Sequence, residues 1–146
     1  MPVGSKTIVL EDNFDAVRNA VSGALLMEAA KAGGFVVEGH AKVNAGSGRP
    51  GLNIQTGTLV NSINVSEGKK TETSAEALIG TNVVYARIHE LGGIIKGAFG
   101  IPGSIVHMPA RPYLRPGLDE NTDEIVRAVK TEIKSNLDKA SKEWLF

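Results

Sequence analysis

His89 and Glu90 are adjacent, and Gly93 stands where a second histidine would complete the pattern H-E-x-x-H. In that signature two histidines one helical turn apart hold zinc, and the glutamate acts as the base. Glycine has no ligand atom, and Gly92-Gly93 would stop the very helix that must present the ligands. The other histidines, His40 and His107, fall in different expected elements. A metal-dependent hydrolase using His89-Glu90 would need distant ligands and is kept only as an alternative. The plainer reading of Tyr85 to Leu91 is a short helical turn with Ala86 or Ile88 and Leu91 toward a core. Tyr85, Arg87, His89 and Glu90 are then partly exposed, with Arg87 and Glu90 spaced to pair at i and i+3.

No other chemistry is better supported. Gly46 to Gly51 has the spacing of a phosphate loop, but Leu52-Asn53 follows where Lys-Ser/Thr is required, so no ammonium meets a phosphate. The serines include no G-x-S-x-G elbow. The acidic pairs Glu11-Asp12 and Asp119-Glu120 sit at expected helix starts, where capping accounts for them. No cofactor site is visible. The chain has no cysteine, which removes disulfides, thiolate ligands and thiol nucleophiles together. Sixteen Lys and Arg balance sixteen Asp and Glu, so no net field draws nucleic acid or an anionic membrane. Lys69-Lys70, Arg111 and Arg115 could touch DNA in an assembled lumen, yet aromatics are 5% of the chain and offer no stacking platform. No window is apolar enough to span a membrane, and the first fourteen residues lack a signal-peptide run. Asn64-Val65-Ser66, a glycosylation sequon by pattern, is read as chance.

The elements that would carry these residues follow from periodicity. Thr7 to Leu10 reads as a strand or arm. From Phe14, the positions Val17, Val21, Leu25, Ala29, Ala32, Val36 and Val43 predict one long amphipathic helix, capped by Asp12 or Asn13. Gly33-Gly34 predicts a bend or the close approach of another element. Ser62 to Ser66 and Ala75 to Gly80 alternate as an antiparallel hairpin, with a polar tip over Glu67 to Thr73. Gly92 to Ser104 carries Ile94, Ile95, Phe99 and Ile101 among glycines, an apolar segment expected to be mobile until it orders against neighbours. Ile105 to Met108 reads as a strand, and Pro109 to Pro116 as a rigid extended connector. A last helix is expected from Leu118 through Ile125, Val129, Ile133, Leu137, Ala140 and Trp144. The fold class is α+β: a long N-terminal helix and a C-terminal helix on a small, mostly antiparallel sheet. One domain over residues 1–146 is expected, with mobile loops near 45–56, 67–73 and 92–104.

Two motifs in order carry a family likeness. Tyr85-Ala86-Arg87-Ile88-His89-Glu90-Leu91-Gly92-Gly93, then Met108-Pro109-Ala110-Arg111-Pro112-Tyr113-Leu114-Arg115-Pro116, resembles the tailed-phage virion morphogenesis family. Gln55 to Ile63 is similar to the T-G-x-L-x-x-S-I stretch that precedes the first hairpin there. The resemblance implies a structural protein without enzymatic activity, made in the host cytoplasm and ending in the virion. It implies tail completion or head–tail joining, through a ring, sixfold by the family's habit, at the tail–neck junction. Its partners would be copies of itself, the tail tube and neck or connector proteins, with no small-molecule substrate and no membrane. The expected interface residues are Tyr85, Arg87, His89, Glu90, Ile94, Ile95, Phe99, Ile101, Arg111, Tyr113 and Arg115. Arg111 and Arg115 are expected to bond carbonyls or carboxylates around the Tyr85 corner. A DNA-binding neck factor is the other alternative.

Overall fold

A computed structural model describes residues 22–48 and 57–143. The expected Thr7–Leu10 strand, the Asp12 or Asn13 cap, the helix before Ser22, residues 49–56 and Trp144 lie outside them.

The first described helix, α1 (Gly23–Val43), is the axis of the molecule. It continues into a π-helical turn, Asn44–Gly48, where the sequence suggested a loop. It runs unbroken through Gly33 and Gly34. They let two layers approach. A Cβ on Gly33 would meet Val129 Cγ2 at 2.9 Å, and one on Gly34 would meet Val65 Cγ1 at 3.0 Å. The missing side chains thus admit the C-terminal helix beside one glycine and the first hairpin beside the other, at the general penalty of glycine in a helix. The buried stripe is Leu25, Met27, Ala29, Gly33, Gly34, Val37 and Ala41. The expected stripe shares Leu25 and Ala29 with it, but Val43, expected inward, is 62% exposed.

A single turn, α2 (Thr58–Ser62), leads into the hairpin β1 (Asn64–Lys70) and β2 (Ala75–Gly80). The pairing is antiparallel, with Val65 opposite Ile79 and Glu67 opposite Ala77. Strand β1 runs further than its alternation suggested, so the tip shrinks to Thr71–Ser74, tied by the Thr71 N–H donating to the Ser74 carbonyl at 2.8 Å. Next come α3 (Ala86–Leu91), β3 (Gly93–Lys96), a 3-10 turn Ala98–Gly100 and β4 (Ile105–Met108). Strands β3 and β4 form a second two-stranded antiparallel sheet, separate from the first.

The C-terminal helix is broken in two. Helix α4 (Leu114–Asp119) precedes α5 (Thr122–Glu143), so Leu118 belongs to the short helix and stands 50% exposed. The proline-rich connector therefore ends earlier than its prolines suggested. Pro116 lies in the first turn of α4, where a missing N–H removes no helical hydrogen bond. One face of α5 carries the half-buried Ile125, Val129, Ile133, Leu137 and Ala140, as the periodicity requires. The fold class is α+β.

A core cluster joins the end of α1 to α2, β2, α3 and α4. Ala41, Ala45, Leu59, Ile63, Ala86 and Tyr113 are buried together, with Val60, Ile79, Val83 and Leu114 packed around them. Gly57 starts α2 in the left-handed conformation at φ 72°, and its carbonyl accepts the Asn61 N–H at 2.9 Å. That turn aims Leu59 and Ile63 inward, which gives the T-G-x-L-x-x-S-I stretch its physical meaning.

Candidate functional site

The two motifs meet in space, and a carboxylate joins them. Glu90 leaves α3 and reaches the start of α4. Its Oε2 accepts the backbone N–H groups of Tyr113 at 2.8 Å and Leu114 at 2.9 Å, and its Oε1 accepts that of Arg115 at 2.9 Å. The next residue, Pro116, has no N–H to satisfy. Glu90 is thus an N-terminal cap supplied from a distant helix, and its negative charge also suits the positive end of the α4 dipole. The expected Arg87–Glu90 pair does not form, because Glu90 is committed elsewhere and Arg87 is exposed.

The turn after α3 completes the junction. The Arg111 N–H donates to the His89 carbonyl at 2.7 Å, so the backbone of Arg111 makes the contact expected of its side chain. Gly92 has φ 69° and ψ −178°, a region open essentially to glycine alone. A Cβ there would lie 2.7 Å from the Ala110 nitrogen and 2.9 Å from the Met108 carbonyl oxygen. The double glycine that spoils the zinc signature is what allows the two chain segments to touch. Below, Tyr113 is 2% exposed and fills the core. Burial first, and the Glu90 carboxylate second, push its phenol up to about 12. The Tyr113 carbonyl accepts from Asn44 Nδ2 at 3.1 Å, fastening α4 to the end of α1 as well. Gly117 follows, its Cα close enough to α1 that a Cβ would stand 3.1 Å from the Ala41 nitrogen.

The zinc reading fails on this geometry. Both Glu90 oxygens hold backbone donors, leaving the signature's base engaged. The ring of His89 meets Tyr85 edge-on at 5.8 Å, and its Nδ1 is buried without a partner. Among the described residues no group of three or more His, Cys, Asp and Glu is placed to hold a metal. Leu91, expected inward, is 63% exposed, while Ala86 is buried.

The remaining expected residues form a second region. The segment Gly93–Met108 is a hairpin arm, and its strands pack chiefly on each other. Ile94 pairs with His107 and Ile95 with Val106. Ile94, Phe99, Ile101 and Ile105 are exposed, Phe99 at 90%. Phe99 is also the described non-glycine residue with positive φ, at 59°. Ser104 braces the turn that presents it, its Oγ at 2.9 Å from both the Ala98 and Ile101 carbonyls. The structure thus divides the expected interface set. Glu90, His89, Arg111 and Tyr113 build the junction. Ile94, Ile95, Phe99 and Ile101 lie on the arm. Tyr85, Arg87 and Arg115 face outward beside the junction, with Arg115 Nε 3.5 Å from Asp119 Oδ2.

A groove went unforeseen by the sequence. Val37, Ile79, Leu114, Leu118, Glu90 and Arg115 line an open apolar cavity of about 260 Å³ beside the junction. Its walls come from α1, β2, α3 and α4, so no local pattern could have announced it.

Residues 40–138 match the phage virion morphogenesis family. The chain belongs to that family. The match covers both motifs, the arm and most of α5, and it gives the chain a structural role in the phage virion. No curated protein and no solved structure matches it. No helix among the described residues is long and apolar enough to cross a membrane.

Proposed function

We propose that this virion protein completes the tail, assembling as a ring at the tail–neck junction and presenting one face to the tail tube and the other to the connector. The observation that carries this reading is the arm. Its Ile94, Phe99, Ile101 and Ile105 stand exposed, with little among the described residues to cover them. Exposed apolar surface of this kind marks interaction sites, and in a virion morphogenesis protein the available partners are copies of the chain and neighbouring structural proteins. Sixfold closure and the whole chain acting as one domain belong to the same reading, as do contacts through Tyr85, Arg87 and Arg115. Neither catalysis nor a cofactor enters it. Light scattering with negative-stain imaging of the purified protein, alone and with purified tail tubes, tests it. Rings in either condition support the proposal. A strict monomer in both overturns it.

A further inference from the structure

We propose that the arm of one copy seats Phe99 in the apolar groove of the next copy, an inference that rests on the ring reading and specifies its contact. Three observations fit knob to hole. First, Phe99 is 90% exposed, so it fills no cavity among the described residues, and its turn is held in an uncommon conformation that presents the ring outward. Second, the groove measures about 260 Å³ and is walled by Val37, Ile79, Leu114 and Leu118. An apolar cavity of about 150 Å³ is enough to take benzene, so a benzyl group fits with room for part of a neighbouring isoleucine.

Third, the charges are opposite. The arm from Gly93 to Met108 carries Lys96 and no acidic residue. The corner from Leu118 to Glu124, which adjoins the groove at Leu118, carries Asp119, Glu120, Asp123 and Glu124 and no lysine or arginine. Asp119 has Arg115, which lines the groove, at 3.5 Å, and Glu124 has His40 at 2.8 Å, yet four carboxylates against one guanidinium leave this corner beside the groove acidic. Complementary rims steer association and fix register. Knob and hole occupy different surfaces of one molecule, so the contact is head-to-tail, and such a contact closes into a ring when its rotation allows.

The cysteine-free chain permits a direct test. Ile101→Cys places a thiol beside Phe99, and Arg115→Cys places one on the groove rim. Both positions are exposed and both leave the knob intact. Lys134→Cys on exposed α5 serves as the control. Mixed pairs are treated with a short bis-maleimide, and covalent dimer is followed on denaturing gels. The Ile101→Cys and Arg115→Cys pair is expected to cross-link roughly tenfold faster than the Ile101→Cys and Lys134→Cys pair, because docking raises the effective concentration of the thiols. Adding Phe99→Ala to the Ile101→Cys chain is expected to erase that preference. If the wild type forms rings but the two pairs react equally, the groove contact is overturned and the ring reading stands. If the wild type stays monomeric with and without tail tubes, both are overturned.

Discussion

The Glu90 junction and the β3–β4 arm are consecutive in the chain and opposite in construction. At the junction, polar groups are matched within the chain: one carboxylate holds three N–H groups, and Gly92 brings two backbone segments into contact. On the arm, apolar side chains are left unmatched, with Phe99 almost fully in solvent. In the proposed function, the difference separates what folds the protein from what it would offer to neighbours. Substitutions at the junction are expected to unfold it, whereas substitutions on the arm are expected to spare the fold and abolish assembly.

Glu90→Ala is the strongest way to break that comparison. Charge-assisted bonds contribute about 1.5–3 kcal/mol each and are not additive. A loss on the order of 3 kcal/mol is expected by urea unfolding of the monomer. A loss below about 1 kcal/mol would mean that water replaces the cap and the junction is not structural. Gly92→Ala comes next, with about 2–3 kcal/mol lost, since the added Cβ meets backbone atoms and the conformation excludes other residues. An unchanged melting temperature would count against this backbone assignment.

Tyr113 gives a graded test. Its phenol ionises near 10.0 in the unfolded chain and is pushed up to about 12 in the fold. Below pH 10 both states are protonated and the contribution is whole. Between 10 and 12 the unfolded chain ionises first, and stability falls by up to about 1.4 kcal/mol per pH unit. Above 12 the contribution is gone. Tyr113→Phe is expected to remove this alkaline slope, and an identical slope in the variant would show that the phenol is not the group responsible. The smallest effect on stability is expected on the arm. Phe99→Ala should change unfolding by no more than about 0.5 kcal/mol, as surface substitutions do, while rings disappear from light scattering. A large loss of stability there would erase the distinction between the two regions.

The sequence announced the elements better than their joints. Periodicity revealed α1, α5 and the alternating strands, because burying one face of an element imposes a repeat. It placed Val43 and Leu91 inward wrongly, since the buried face of a helix end depends on which neighbour arrives. Pro109 to Pro116 misled for a chemical reason: prolines without donors argue against a helix, except in its first turn, where Pro116 stands. The partner of Glu90 was illegible because its donors lie 23 to 25 residues away, beyond the reach of any helical spacing. The motif pair nevertheless identified the family without its geometry. That geometry now explains the pair: glutamate, double glycine and the Arg-Pro-Tyr-Leu-Arg-Pro run are two halves of one joint.

That joint also decides how force travels. The arm meets the body at two covalent roots, Gly92 and Pro109, and the Glu90 cap clamps the helices that carry both. A pull on the tip is therefore expected to meet resistance at the base. The bonded route from that base runs from Glu90 to Tyr113 and on to Asn44 at the end of α1. In the proposed ring, a load on the arm would reach this joint before the rest of the fold.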